Sequence, residues 1–205
     1  MQNTRPWIIF FPLCTFLLFF SCSDQRSATT PCILSFTSET SAMELGINNK
    51  DANLGGDELA QSFKLSEDKS ISNVLLKLQL IGFTTTSPIG YKIALKIESN
   101  SAGAPSGTEV TNADSYIDLT QMNTAAAFYA FSFSSAVSLT KDTAYWIRIR
   151  GTYPSSKDNF VKWIAYNGDS GYSNGQALYE TAISNNWSSQ NIGDLRDFVF
   201  QLGCN

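Results

Sequence analysis

The chain has 205 residues, with 18 acidic against 14 basic side chains and a net charge of −4, a balance that argues against general attraction to nucleic acid or anionic lipid. It contains no histidine, which excludes His-centred triads, imidazole general bases and His metal sites. The length suits one domain with a sizeable core.

Met1-Gln-Asn-Thr-Arg5 is a short polar stretch with one positive charge, and an apolar run from Pro6 to Phe20 follows it. That is the form of a signal peptide over residues 1–21. A spanning helix needs about 20 apolar residues, and this run ends sooner, at Ser21-Cys22-Ser23-Asp24. A Cys directly after a small residue at the end of the apolar run resembles the lipobox of bacterial lipoproteins. Phe19 stands where Leu is usual, with Leu18 one place earlier, a looseness similar to spirochaetal lipoboxes. The resemblance implies acyl chains on Cys22, each buried methylene contributing about 0.8 kcal/mol to membrane anchoring. The competing readings are a cleaved signal that leaves Cys22 a free thiol, or an uncleaved anchor helix. All three place the domain outside the cytoplasm, and the lipidated form is expected at the outer membrane.

Residues 22–31 are small and polar beyond the Cys and read as a lipidated tether. From residue 32 to 205, short apolar alternations are separated by Gly, Pro, Asn, Asp and Ser clusters, the pattern of strands and turns. Strands are predicted at 32–37, 60–65, around Val74 to Leu80, at 91–98, 115–119, 128–133, 145–150, 160–166, 176–181 and 198–202. Residues 115–119 read as an edge strand, because Gly103-Ala-Pro-Ser-Gly107 and Thr111-Asn-Ala-Asp114 look like exposed loops. About ten short strands without crossover helices predict an all-β fold, an antiparallel jelly-roll-like β-sandwich. An immunoglobulin-like sandwich is the alternative, though the spacing of Cys and Trp typical of that fold is missing.

With Cys14 in the signal and Cys22 lipidated, Cys32 and Cys204 remain. They stand at the two extremes of the domain in an oxidising compartment, so a disulfide between them is expected. It requires the first and last strands to be neighbours.

Candidate chemistry comes from aromatic residues in polar company, the combination that carbohydrate recognition needs. If Tyr145, Ile147 and Ile149 point inward, Trp146, Arg148 and Arg150 point outward together. By the same alternation Val161, Trp163 and Ala165 face the core while Lys162 and Tyr166 face away. Trp187, between Asn185-Asn186 and Ser188-Ser189, reads as a loop aromatic. The competing reading is that these aromatics are packing, with Arg148 covering the ring of Trp146. Asp51, Asn53 and Asp57 offer oxygens for a structural calcium beside Gly56. An EF-hand fails because its twelfth position is Ser62. Asp194 and Asp197 are the nearest paired carboxylates for a glycoside hydrolase. No G-x-S-x-G, P-loop or zinc spacing is present, so the chain reads as a non-enzyme without a cofactor.

Seven segments in order carry a wider resemblance: Ala60-Gln-Ser-Phe63, the strand from Ile71 to Gly82, Gly103 to Gly107, Val137 to Trp146, Tyr172-Ser-Asn-Gly175, Trp187, and Asp194 to Gly203. Their order and spacing resemble the choice-of-anchor R domain of bacterial surface proteins. The resemblance implies an extracytoplasmic jelly-roll-like module displayed by an anchor, similar in outline to carbohydrate-binding modules, and it supplies no catalytic residue. An N-terminal lipid in place of a C-terminal sorting segment is the departure. The expected function is a lipid-anchored surface module that binds an extracellular glycan or glycoprotein. The alternative is a structural or protein-interaction lipoprotein of the envelope without a glycan site.

Overall fold

The computed structural model describes residues 31–33, 41–45, 55–56, 58–83, 90–152, 159–167, 172, 175–180, 186–188 and 196–204. The strands are β1 (Pro31–Ile33), β2 (Ser41–Leu45), β3 (Gly55–Gly56), β4 (Glu58–Lys64), β5 (Lys69–Ile81), β6 (Lys92–Ser101) and β7 (Ala104–Asp118). After a 3-10 turn at Leu119–Gln121 come β8 (Ala127–Leu139), β9 (Ala144–Gly151), β10 (Phe160–Asn167), β11 (Ala177–Glu180), β12 (Trp187–Ser188), β13 (Arg196–Phe198) and β14 (Phe200–Cys204).

They form two sheets. One runs β1-β14-β5-β10-β2-β3, with β8 also on β5 and β13 on β10; the other runs β12-β11-β4-β9-β6-β7. From β4 onward the chain passes repeatedly between the sheets, as in jelly-roll-like sandwiches, so the predicted all-β sandwich is what forms. Pairing among the described residues is antiparallel except between β2 and β3.

Alternation builds the core. Val74, Leu76, Leu78 and Leu80 of β5 are buried, and Ile93, Leu95 and Ile97 of β6 are fully buried from the facing sheet. Each such side chain contributes about 1.5–3 kcal/mol on leaving water. Val161, Trp163 and Ala165 point inward as their spacing predicts. The Trp163 ring stacks on Phe198 at 4.3 Å, and its indole N–H donates to Val199 O at 3.0 Å, so the one polar atom of this large side chain is satisfied.

The last strand changes partner at Val199. Its N–H donates to Ile164 O at 2.9 Å, and its carbonyl accepts from Lys77 N–H at 3.3 Å. β13 therefore lies on β10 and β14 on β5. β1 lies on β14, with Pro31 opposite Gly203 and Ile33 opposite Leu202, so the first and last strands are neighbours.

Several predicted boundaries move. Of the segments 103–107 and 111–114, expected as loops, all but Gly103 belong to one long edge strand, β7. Solvent on its open side tolerates polar residues, Pro105 needs no inner ladder bond there, and register shifts against β6 absorb the irregularity. Ala102 and Gly103, with φ of 51° and 85°, make the two-residue turn from β6 to β7. Positive φ at both central residues matches the strand twist of a hairpin. Trp187, expected in a loop, sits in β12, paired with Glu180 of β11.

Candidate functional site

The predicted outward set of β9 is correct in direction. Tyr145, Ile147 and Ile149 join the main core, and Trp146, Arg148 and Arg150 lie on the outer face of the sheet, in register with Ser62, Ala60 and Glu58 of β4. Outward does not mean exposed, however. Trp146 is 1 % exposed, because Ala60 of β4 and Leu178 of β11 pack beside it, with Trp187 and Ala104 closing the margin. Its indole N–H donates to Asn100 Oδ1 at 2.9 Å. It therefore offers no flat stacking face.

Arg148 is a clamp across three strands. Its Nε donates to Glu58 Oε2 and its Nη1 donates to Glu98 Oε1 at 2.7 Å. Glu98 is fully buried and also accepts Gly107 N–H through Oε2 at 2.8 Å. Burial opposes the charge on Arg148, but the hydrogen bonds to Glu58 and Glu98 outweigh it and raise the guanidinium pKa further. The guanidinium lies over the ring of Trp187, 5.8 Å from its centroid, whereas the competing packing reading of the sequence had it covering Trp146. Arg150 is mostly exposed and reaches Glu58 Oε1 at 3.5 Å.

Four of the five ligand candidates, Trp146, Arg148, Arg150 and Trp187, thus share one sheet face. Tyr166 does not join them: it lies on β10 of the other sheet, opposite Asp197. Cys22, Asp51, Asn53, Asp57 and Asp194 lie outside the described residues, as does the side chain of Cys32. Among the described residues no group of three or more Cys, Asp or Glu side chains gathers to hold a metal ion.

Beside this clamp the same face dips into a shallow, open depression of about 350 Å3, lined by Ser62, Lys64, Asn100, Gly103, Ala144, Trp146, Gly175 and Gln176. Strand register explains the hollow. Lys64 of β4 pairs with Ala144 of β9, and one residue beyond the Ser99–Tyr145 pair Asn100 of β6 comes level with the same Ala144. A small residue thus separates two polar ones, and Lys64 and Asn100 stand two strand spacings apart, roughly 10 Å. The next row, Ser62–Trp146–Glu98, closes one end. Ser62 fixes the wall formed by 175–176: its N–H donates to Gln176 O at 2.9 Å and its Oγ accepts Gln176 N–H at 2.7 Å.

Beneath that wall is a buried polar network. Gln61 Nε2 donates to Asp197 Oδ1 at 2.8 Å, and Gln61 Oε1 accepts Phe198 N–H at 2.7 Å. Burial pushes the Asp197 carboxyl up, opposed by the hydrogen bond from Gln61 and by one from the Tyr172 backbone N–H. The Tyr172 hydroxyl donates to Lys64 O at 2.7 Å and accepts Lys64 N–H at 3.1 Å; burial, partly offset by the bond to Lys64, raises its pKa, with Asp197 adding to the shift. Asp197 is thus bound to its scaffold.

The sequence reading missed Lys64, Asn100, Glu58 and Glu98. Glu58 and Lys64 share the parity of Ala60 in β4, and that was the available signal. Neither the protein-family models nor the curated proteins compared with this chain match it.

Proposed function

We propose that the chain is a lipid-anchored surface module of the choice-of-anchor R kind that binds extracellular carbohydrate in the depression between Lys64 and Asn100. The observation that carries this reading is the hollow itself. On a face otherwise levelled by the Arg148 clamp, small residues at Ala144, Gly103 and Gly175 leave a sugar-sized space bordered by hydrogen-bonding side chains. Asn100, which lines the hollow, accepts the Trp146 indole N–H through Oδ1, which leaves its amide NH2 available for a ligand. Binding without catalysis fits the tying of Asp197 by Gln61 and Tyr172. The test is a glycan array probed with the full-length protein in detergent, beside an Asn100→Ala variant. Saturable binding lost in the variant supports the reading. A blank array overturns it.

The burial of Trp146 favours a second reading, an envelope protein whose outer sheet face serves a protein partner. Crosslinking on whole cells, followed by identification of a specific adduct in parallel with a blank array, supports that alternative.

The same proposal includes a disulfide between Cys32 and Cys204, supported by the pairing of β1 with β14. Peptide mapping under non-reducing conditions is expected to recover the two cysteines as one linked peptide. Two alkylated, separate peptides would remove the cross-link.

A further inference from the structure

The lining of the depression has a sign. Among the described residues that line it none is acidic, and Lys64 is the only cation. The ammonium of Lys64 is exposed and has no ion-pair partner among the described residues. The other cations of this face are committed elsewhere. Arg148 is held by Glu58 and Glu98, Arg150 leans on Glu58, Lys96 pairs with Glu109 at 2.8 Å, and Lys92, at the far end of β6, lies over the Tyr116 ring 3.7 Å from its centroid. Glu98, the acid of the adjacent row, is fully buried and spends both oxygens on Arg148 and Gly107, and Asp142, whose N–H donates to Leu65 O at 2.8 Å beside Lys64, is not among the lining residues and has its carboxylate 3.9 Å from Lys141 Nζ. The remaining polar groups complete a donor-rich rim. Asn100 Oδ1 is occupied by the Trp146 indole N–H, so the free end of that amide is its NH2.

A chain of net charge −4 therefore carries a hollow that presents an ammonium on one side and an amide donor on the other. They stand roughly 10 Å apart across Ala144, a span that fits one sugar ring and its substituent. Neutral sugars present hydroxyls that both donate and accept and have no need of such a one-sided set. A carboxylate accepts only and pairs best with a charged donor.

We infer that the depression takes an acidic saccharide, with a sugar carboxylate against Lys64 Nζ and a ring oxygen or hydroxyl on Asn100 Nδ2. This rests on the reading of the depression as a glycan site.

The test uses matched pairs that differ only in the acid: sialyllactose against lactose, and oligogalacturonate against its methyl ester. Each is titrated against the full-length protein in detergent micelles at low and high salt. The expected result is binding of the acid member at least tenfold tighter than its neutral partner, about the weight of one charge-assisted hydrogen bond, with the preference shrinking as salt rises. Lys64→Gln is expected to erase the preference, while Lys141→Gln, an exposed lysine of the β8–β9 turn, keeps it. Equal binding of both members of each pair overturns the acidic inference and leaves the glycan reading standing. Binding of neither member overturns both. Unchanged melting of Lys64→Gln shows that any loss belongs to the site and not to folding.

Discussion

Glu98 lies fully buried on the outer side of its sheet, with its Oε1 2.7 Å from Arg148 Nη1. Arg148 also neutralises Glu58, which is nearly as deep. The guanidinium is the one cation that both buried carboxylates share; Arg150 adds a longer contact to Glu58 at 3.5 Å.

Arg148→Ala is expected to destabilise strongly, because it leaves Glu98 without its cation and Glu58 with only the longer contact to Arg150. Breaking a buried pair costs about 3–5 kcal/mol, and the partial exposure of Arg148, 26 % of its side chain, places the effect near the lower end. A urea melt reads it. Adding Glu58→Gln and Glu98→Gln to Arg148→Ala is expected to recover part of the loss; a triple variant weaker than the single one would show that the charges are not the cause.

Two glycine substitutions separate crowding from backbone strain. A Cβ at Gly175 would stand 2.3 Å from Ser62 O and 2.5 Å from Tyr172 Cδ1, and a backbone oxygen in the β4 ladder has little freedom to move. Gly175→Ala is therefore expected to cost about 3 kcal/mol. At Gly90, φ is +85° with nothing within 4 Å, so Gly90→Ala meets only the left-handed penalty of about 1 kcal/mol. Equal midpoints for the two variants in chemical denaturation would contradict the close approach of Gly175 to β4.

Ala102 holds φ of 51° in the β6–β7 turn, a conformation that costs a non-glycine residue about 1 kcal/mol. Ala102→Gly is expected to raise stability by a few tenths to about 1 kcal/mol, glycine's greater freedom in the unfolded chain offsetting part of the gain. Thermal melting of the two proteins side by side checks the sign.

Asp197 sets a pH dependence opposite to that of most buried ion pairs. Its folded pKa is raised by burial, against the hydrogen bonds from Gln61 and the Tyr172 backbone, so the folded state holds this proton more tightly than the unfolded chain. Its contribution is most favourable below the unfolded value of about 4 and declines as pH rises through the raised folded value. Carboxyl NMR titration, with the Asp197 signal assigned through Asp197→Asn, is expected to give a midpoint above the ordinary one. A midpoint at or below it would mean that the hydrogen bonds outweigh burial.

The two sheet faces were legible residue by residue because side-chain alternation is local. Val74, Leu76, Leu78 and Leu80 announce a buried face of β5, and Tyr145, Ile147 and Ile149 predict that Trp146, Arg148 and Arg150 turn outward, as they do. Less local features were misread. The polar text of residues 104–107 and 111–114 resembles loops, and only pairing with β6 makes it strand. Trp146 follows the outward parity and is nevertheless buried, because Leu178 of β11 and Trp187 of β12 come over it from later in the chain. The depression was invisible for the same reason. Lys64, Ala144 and Asn100 lie far apart in sequence, and only the registers of β4, β9 and β6 set them in one row. The sequence by itself determined strand identity and the direction of each side chain, since both repeat every two residues. The tertiary structure alone decided which outward side chains are covered, which are ion-paired and which border a hollow, since those depend on contacts between strands that no local pattern encodes.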